Sequence, residues 1–345
     1  MRLESARSLK TQLLSEVVEP LAADPLRSGI GARSLASVPR VQRSLALGVA
    51  PHGKGFRLAV RVQRAALRHG ALLEQLTKAA KGEIDIRVVG RIEKRPGVRR
   101  SHAGATARAA AAWYQGDTRP LLIGASVGHY AITAGTTGAF VSRDGAACIL
   151  SNNHVLANEN AGAVGDWVLQ RARYDGGRQP DERVARLSHW VALKPRGVNV
   201  VDGALAAIED GMQLDATLLR GLVGGRDRRL AGLGPAAVDE GVVVYKVGRT
   251  TGATKGRVTA FALDNVVVGY DLGNLRFDDQ IEIEGAGTKA FSDGGDSGSL
   301  IVNARMEAIA LLFAGGDSGG RNGAGLTFAN PIHPVLKGLK AKLLS

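Results

Sequence analysis

The chain has 345 residues, of which 45% are hydrophobic and 22% charged, a composition that predicts a sizeable buried core and excludes wholesale disorder. The net charge of +13 lies entirely in the N-terminal third, because residues 1–120 hold 22 basic and 9 acidic side chains whereas residues 121–345 hold 23 of each. A protein that is polybasic throughout is therefore excluded. The single cysteine, Cys148, excludes an intramolecular disulfide and a cysteine-based zinc cluster.

Residues 1–94 predict a small basic α/β module. Leucine and valine recur at helical spacing over residues 3–19, and Phe, Leu and Val alternate with polar residues over residues 56–62, which predicts a strand. Helical spacing returns over residues 65–81, and a second alternating strand follows at residues 84–88. The serine-, glycine- and arginine-rich stretch at residues 28–51 predicts a loop.

The remaining sequence predicts a linker and a β-rich domain. Residues 95–120 are rich in alanine and arginine without periodicity, as in a linker. Residues 121–345 contain a dozen short β-prone runs separated by glycine turns, which indicates a β-sandwich or paired barrels. We expect no membrane span, since glycines and polar residues interrupt the uncharged stretch at 120–142. Because the N-terminus lacks signal-peptide features, we expect a cytoplasmic protein.

Three local contexts in the β-rich domain carry residues suited to nucleophilic catalysis. ACILSNNHVLA delivers His154 at the end of a strand, VNVVDGALAAI contains Asp202 in an apolar strand, and FSDGGDSGSLIV presents Ser297 in a glycine-rich turn. In this order and in these contexts, residues 121–345 resemble the chymotrypsin/trypsin-like serine endopeptidases. KVGRTTGATKGRVTA, GDSGSLIV and AIALLFAGG also follow the order of the bacterial branch, the streptomycete and α-lytic-type proteases. SNNHVLA and GDSGS are similar to trypsin-like peptidases related to plant NARROW LEAF proteins as well.

The resemblance implies a mainly β fold: two chymotrypsin-like antiparallel β-barrels preceded by the small α/β N-terminal module. It implies a catalytic triad in which Ser297 is the nucleophile, His154 the base and Asp202 the group that orients the imidazole. The backbone N–H groups of Gly295 and Ser297 would form the oxyanion hole. This chemistry requires no metal and no organic cofactor, and its substrate is a protein or a peptide.

Some positions compete with these assignments or depart from the family pattern. GGDSGG at residues 315–320 repeats the motif around Ser318, but only Ser297 leaves enough chain for the hairpin and terminal helix that follow the family's nucleophile. Phe291 stands where trypsin-type enzymes carry a pocket-floor aspartate, and with Ser292 and Gly315 it is assigned to the substrate pocket. We therefore expect a preference for uncharged side chains.

The wall strand also departs from the family pattern. Relatives usually carry a serine there that supports the triad aspartate, whereas this chain has Leu312, Phe313 and Ala314. Support for Asp202 must then come from elsewhere. Of the other reactive side chains, we interpret His129, His189 and Cys148 as structural residues, and GRTTGATKG lacks the spacing of a phosphate-binding loop.

The basic N-terminal module leaves several interpretations open. It could simply dock on the protease, act like a pro-region, or bind nucleic acid, an acidic partner or an anionic surface. A catalytically silent protease-like scaffold with such a binding module is the rival function. A further hypothesis is a processing enzyme with one dedicated partner substrate or with itself, which Arg95, Arg99 and Arg100 of the linker motivate.

Overall fold

Strands dominate the structure, a computed structural model that describes residues 1–19, 45–63, 71–94, 112–238 and 240–345. The predicted mainly β fold is confirmed, with one closed six-stranded barrel and one half-barrel. In the described part of the chain, no helix has both the length and the apolar character needed to cross a bilayer.

The described residues of the N-terminal segment form two α-helices and four strands. Their bounds are α1 Leu3–Leu13, a π-helical turn Leu14–Val18, β1 Leu45–His52, β2 Gly55–Val62, α2 Ala71–Ala79, β3 Ile84–Val88 and β4 Ile92–Glu93. The predicted strand–helix–strand unit is present, because β2 and β3 pair in parallel with α2 between them in the chain. Leu13 of α1 and Leu73 and Leu76 of α2 share an apolar cluster with buried residues of β1 and β2, whereas Ala6 of α1 packs in a cluster with residues of the closed barrel.

The prediction of a loop over residues 28–51 is wrong for residues 45–51, which lie in β1. All residues from Leu45 to Ala50 are buried. Leu45 and Leu47 pack in one apolar cluster with α1 and α2, and Ala46 and Ala50 pack in another with residues of the closed barrel, while the two edges of β1 pair with β2 and with a barrel strand. A strand covered on both sides needs no polar alternation, so its pattern escapes a search for period two. Residues 28–44 and 95–111 lie outside the described residues, and so do residues 65–70 of the predicted second helix; the gap at 95–111 takes in most of the predicted linker with Arg95, Arg99 and Arg100.

The half-barrel forms the first part of the β-rich domain. The elements of this part are a 3₁₀ turn Trp113–Gln115, β5 Leu121–Leu122, β6 Ser126–His129, β7 Gly135–Thr136, β8 Ala139–Arg143, β9 Ala146–Ser151, α3 Asn153–Leu156, β10 Trp167–Leu169, a 3₁₀ turn Arg173–Asp175, β11 Arg183–Trp190, β12 Val198–Asn199, β13 Ala204–Ile208, β14 Leu214–Asp215, β15 Leu218–Val223, β16 Arg226–Arg229 and β17 Gly232–Leu233. Strands of this part and the last strand, β26 Lys342–Leu343, form an eight-stranded sheet of the order β26–β8–β9–β13–β11–β10–β6–β7.

The closed barrel forms the second part. The elements are β18 Val243–Gly248, β19 Gly252–Asp264, β20 Val266–Tyr270, β21 Gly273–Phe277, β22 Gln280–Gly285, β23 Leu300–Asn303, β24 Glu307–Gly319, β25 Gly325–Pro331, α4 Ile332–Leu339 and β26 Lys342–Leu343. Six of these strands pair in a ring, β18–β19–β22–β25–β24–β23 and back to β18. Through β26, the end of the chain returns to pair with β8 of the half-barrel.

The N-terminal segment is joined to the closed barrel by main-chain pairing. β1 pairs with β19, and β4 lies between β20 and β24. The buried guanidinium of Arg61 in β2 also binds the carboxylate of Glu282 in β22, with Nε–Oε2 at 2.5 Å. The boundary at residue 94 therefore stays a prediction about sequence organisation, while the sheet continues across it.

Candidate active site

His154 and Asp202 meet where two neighbouring strands of the half-barrel end. β9 and β13 pair with Ser151 opposite Ala204, so the residues just after β9 lie beside those just before β13. His154 Nδ1 is 2.5 Å from Asp202 Oδ2. The His154 N–H also points to Asp202 Oδ1 at 3.3 Å, and Asn152 Nδ2 donates to the Asp202 carbonyl at 2.8 Å. Two adjacent strand ends thus fix the pair.

The Asp202 carboxylate is fully buried and well supplied with donors. The Tyr270 hydroxyl donates to Oδ2 at 2.6 Å, and the Asp202 N–H donates to Asn330 Oδ1 at 2.9 Å. Burial raises the pKa of Asp202, but the His154 imidazole and the hydrogen bonds from His154 and Tyr270 outweigh it and hold the pKa below its usual value. The carboxylate is therefore ionised in a site that excludes water.

This ionised carboxylate fixes the state of the imidazole. An ionised carboxylate can only accept hydrogen bonds, so His154 Nδ1 carries the proton that it shares with Asp202. In the neutral ring, Nε2 is then the acceptor. Nε2 is buried and has no hydrogen-bond partner within the described ranges. The ring can thus take up a proton at Nε2.

Ser297 lies in the turn between β22 and β23 and is packed against the half-barrel. Its carbonyl accepts a hydrogen bond from the Thr136 N–H at 2.8 Å, while the Thr136 carbonyl accepts one from Ser151 Oγ at 2.7 Å. Thr136 thus connects the Ser297 turn to the end of β9, three residues before His154. The Ser297 side chain is buried, and Oγ has no hydrogen-bond partner in the portion of the chain that is described.

The turn before Ser297 has a conformation that requires glycine. Gly295 has φ +93°, and a Cβ there would lie 2.5 Å from Thr250 Oγ1. Thr136 Oγ1 donates to the Gly295 carbonyl at 3.0 Å and so orients this peptide. The predicted oxyanion-hole residues are therefore in a turn whose shape is set by close contacts with both barrels.

Asp296, next to Ser297, is held by a buried lysine that the sequence analysis did not identify. Lys246 Nζ lies 3.2 Å from Asp296 Oδ2, and both side chains are fully buried. The Thr250 N–H and Thr251 Oγ1 also donate to this carboxylate, at 2.8 and 2.7 Å. Burial raises the pKa of Asp296, but Lys246 and these donors more than offset it and leave the pKa lowered. The signal for this pair is the lysine of KVG in β18, which begins the family motif KVGRTTGATKGRVTA.

Two of the residues assigned to the substrate pocket, Ser292 and Gly315, meet at Thr327, whereas the Phe291 ring lies in the barrel core. Phe291 is fully buried in the apolar cluster of the closed barrel, and Ser292 Oγ shares a 2.6 Å hydrogen bond with Thr327 Oγ1. Gly315 pairs with Thr327 of β25 on one side and with Glu93 of β4 on the other. The pocket assignment stays a prediction.

The other residues singled out in the sequence lie outside this constellation. Ser318 is exposed near the end of β24. His129 is buried and bonds Asp166 Oδ2 at 3.1 Å. Cys148 is buried in the half-barrel core, and burial raises the pKa of its thiol. Tyr270 was missed, although the absence of a serine at Leu312–Ala314 implied that some other donor must reach Asp202.

Comparisons with known proteins agree with this architecture. A family model described as a trypsin-like peptidase domain matches residues 136–311, which is 176 of the 345 residues. No curated protein matches the chain. Among solved structures, Thermobifida fusca protease A is 18% identical with a TM-score of 0.45, and the match covers 65% of this chain and 98% of that one. Nocardiopsis protease is also 18% identical, with a TM-score of 0.46 and the same coverage. Cellulomonas bogoriensis chymotrypsin is 20% identical with a TM-score of 0.44, covering 65% of this chain and 97% of that one.

Proposed function

The chain belongs to the trypsin-like peptidase family, and from this premise we propose that it is a serine endopeptidase that cleaves peptide bonds through an acyl-enzyme on Ser297. The observation that carries the proposal is the buried 2.5 Å contact between His154 Nδ1 and Asp202 Oδ2. This contact leaves His154 Nε2 as an acceptor that has no hydrogen-bond partner among the described residues, and Ser297 Oγ has no such partner there either.

In the proposed reaction, Ser297 Oγ attacks the carbonyl carbon of the scissile peptide and gives its proton to His154 Nε2. The oxyanion that forms accepts hydrogen bonds from the N–H groups of Gly295 and Ser297. His154 then passes the proton to the leaving amine as the C–N bond breaks, which leaves an ester on Ser297. Water, deprotonated by His154, hydrolyses the ester and restores the enzyme. Asp202 stabilises the imidazolium in both halves of the cycle.

Substrate preference is proposed from the position of Phe291. With an apolar residue in place of the pocket-floor carboxylate of trypsin-type enzymes, Arg or Lys at the residue before the cut loses that charge partner unless Asp293 or another acid replaces it. We expect uncharged side chains to be preferred there. A peptide library that varies this residue tests the point, and selection of Arg or Lys would contradict it.

The rival function, a silent scaffold with a nucleic-acid-binding module, has less support. Basic side chains of the N-terminal segment form ion pairs with carboxylates of the β-rich domain, namely Lys10 with Asp264, Arg61 with Glu282, Arg87 with Glu284, and Lys94 with Glu159. Paired cations of this kind hold the segment in place and are unavailable to phosphates.

Hydrolysis of an unfolded protein by the full chain tests the proposed function. Ser297→Ala is expected to lower kcat on the order of 10⁶-fold, as removal of the nucleophile does in other serine proteases. Ser318→Ala is the matched control, because it removes the same hydroxyl from the duplicated GDSG motif and should retain wild-type kcat. Equal rates for wild type and Ser297→Ala, or loss of activity only in Ser318→Ala, would refute the proposal.

A further inference from the structure

Tyr270 makes a side-chain hydrogen bond to the Asp202 carboxylate that the proposed chemistry does not yet use. We propose that Tyr270 is a positioning residue, whose hydroxyl holds the Asp202 carboxylate so that Oδ2 stays aligned with His154 Nδ1. The proposal rests on the proposed function, since it assigns Tyr270 a part in that reaction without contact to substrate.

The geometry places the tyrosine hydroxyl and the imidazole on the same carboxylate oxygen. Tyr270 Oη is 2.6 Å and His154 Nδ1 is 2.5 Å from Asp202 Oδ2. The Tyr270 ring meets the His154 ring edge-on, with centroids 5.8 Å apart and an interplanar angle of 79°. Its other neighbour, Phe277, is stacked at 5.9 Å. Aromatic contacts on both sides therefore fix the hydroxyl.

The hydroxyl is suited to act only as a donor. Because Asp202 is ionised, Tyr270 must supply the proton of the bond that they share. Burial and the neighbouring Asp202 charge raise the pKa of Tyr270 well above its ordinary value, so the hydroxyl keeps its proton and remains a donor at neutral pH. Ala314 belongs to the same buried cluster as Tyr270 but has no hydroxyl, which leaves the tyrosine in the supporting role.

Tyr270→Phe tests this role, because it removes the hydroxyl and keeps the ring. Loss of a hydrogen bond to a charged group should lower kcat about 10- to 100-fold with little change in KM. The decrease of kcat/KM at low pH, the acid limb of the profile, should begin at a higher pH. This is because a carboxylate that has lost one hydrogen-bond donor stabilises the imidazolium more strongly. Tyr130→Phe, at a tyrosine that is 38% exposed, is the control and should leave both quantities unchanged.

A second variant keeps the hydroxyl and changes its strength. Site-specific 3-fluorotyrosine at position 270 is a stronger donor, so the acid limb should move to lower pH, opposite to the shift in Tyr270→Phe. A purely structural tyrosine would produce no such opposed shifts. Wild-type kcat and pH profiles in both variants would overturn the proposal.

Proton NMR separates this proposal from the proposed function. The resonance of the proton that His154 Nδ1 shares with Asp202 is to be recorded without substrate, and its chemical shift should differ between wild type and Tyr270→Phe. If the wild-type chain neither hydrolyses a peptide nor reacts with a fluorophosphonate, the proposed function fails, while the resonance still reports on Tyr270. An identical resonance in wild type and Tyr270→Phe would overturn the positioning role.

A second inference depends on strand pairing alone. We propose that β4 occupies the strand position that an extended substrate would take beside Ser297, so that the chain is latent until β4 is displaced. β24 lies beside the Ser297 turn and is hydrogen-bonded to it at Leu312. The Gly298 N–H donates to the Leu312 carbonyl, and the Leu312 N–H donates to the Ser299 carbonyl. The strand then runs on to Gly315, which the sequence analysis assigns to the substrate pocket.

Both edges of β24 are paired at that point. Gly315 is opposite Thr327 of β25 on one edge, and on the other it is antiparallel to Glu93 of β4. β4 also pairs with β20, the strand that ends at Tyr270. A peptide that binds by adding a strand needs a free edge, so β4 must leave before a peptide can pair with Gly315.

Two side chains hold β4 in place. Ile92 is buried in the cluster that contains Tyr270 and Phe313. Lys94, directly after the strand, forms ion pairs with the carboxylates of Glu159 and Asp271. Glu93 between them is exposed, so a change there weakens the strand pairing without disturbing the core.

Glu93→Pro, which removes one N–H from β4, tests latency. It should raise kcat/KM for a tetrapeptide amide at least about tenfold, in line with a lost hydrogen bond, while Glu93→Ala should not. The rate of labelling by a small fluorophosphonate, which needs no strand pairing, should be equal in all three proteins. Equal kcat/KM in all three would overturn latency, whereas absence of fluorophosphonate labelling would overturn the proposed function.

Hydrogen exchange on the unaltered chain gives an independent measure. Amides of residues 91–94 should exchange faster when a saturating peptide aldehyde is bound, because the peptide displaces β4. Peptide binding with unchanged protection of these amides would overturn the proposal, whether or not Glu93→Pro folds.

Discussion

Lys246 and Asp296 form an ion pair in the closed barrel in which both side chains are completely buried, with Nζ 3.2 Å from Oδ2. Asp296 immediately precedes Ser297, and its carboxylate also receives the N–H of Thr250 and the hydroxyl of Thr251. The pair therefore connects β18 to the turn that carries the proposed nucleophile. Its strength bears on both the stability of the barrel and the shape of the proposed oxyanion hole.

Lys246→Met should reduce the free energy of unfolding by about 3–5 kcal/mol, because it leaves the Asp296 charge buried without its partner. Urea denaturation at pH 7 measures the effect. The double variant Lys246→Met/Asp296→Asn removes the unpaired charge and should be less destabilised than the sum of its single changes. Additive losses in this cycle would show that the two side chains are not coupled.

Acid should destabilise the protein through its buried carboxylates. Asp202 and Asp296 have pKa values below the ordinary 3.8 in the folded chain. Each therefore contributes stability that is complete above that value and is lost as the pH falls through 3.8 toward the lower folded pKa. Asp202→Asn removes one of these groups, so its free energy of unfolding should fall less between pH 6 and pH 3 than that of wild type. Parallel pH curves would contradict this assignment.

Gly295→Ala should impair catalysis more than a glycine change elsewhere. Gly295 has φ +93° and no room for a Cβ, which would meet Thr250 Oγ1 at 2.5 Å. A displaced Gly295 N–H costs one oxyanion donor, so kcat should fall about 10²- to 10³-fold. Gly287→Ala is a matched control, since Gly287 has φ +71° but nothing within 4 Å of an added Cβ. Comparable losses of kcat in Gly295→Ala and Gly287→Ala would contradict the assignment of the Gly295 N–H to the oxyanion hole.

Arg61 tests whether the N-terminal segment is part of one cooperative unit. Its buried guanidinium binds Glu282 of the closed barrel and Asp85 of β3. Arg61→Met removes the closest cation from the buried Glu282 carboxylate and leaves it with the Arg87 guanidinium at 4.0 Å, so it should lower the free energy of unfolding by about 3–5 kcal/mol. Calorimetry should show one transition that shifts as a whole, because β1 and β19 share a sheet. The exposed pair Arg305–Glu307 supplies the control, and Arg305→Met should change stability little. Two separate transitions would instead support an independent module.

The sequence was sufficient for the family, the mainly β fold and the strand–helix–strand unit, because these depend on local motifs and on periodicity. His154 and Asp202 could be paired because their order and contexts resemble those of the serine endopeptidases, although Asp202 lies just before β13 rather than within a strand. The strand β1 was missed because it is buried on both sides and contains Gly48 and Pro51, which normally indicate a loop.

The contacts across long sequence distances could not be predicted in the same way. Tyr270 lies 68 residues from Asp202 and Lys246 lies 50 from Asp296, and nothing in the local sequence specifies these partners. The pairing of β4 with Gly315 was equally inaccessible, because a two-residue strand has no period to detect. The sequence indicated only that Asp202 needed support, which Leu312–Ala314 does not provide.

Covalent labelling with a fluorophosphonate tests the central claim most directly. Incubation of the full chain with this probe, followed by intact-mass and peptide mass spectrometry, should show one adduct per chain, located on Ser297. Ser297→Ala should acquire none, and His154→Ala should react far more slowly because the serine has lost its base. An adduct on Ser318, or equal labelling of wild type and Ser297→Ala, would contradict the account.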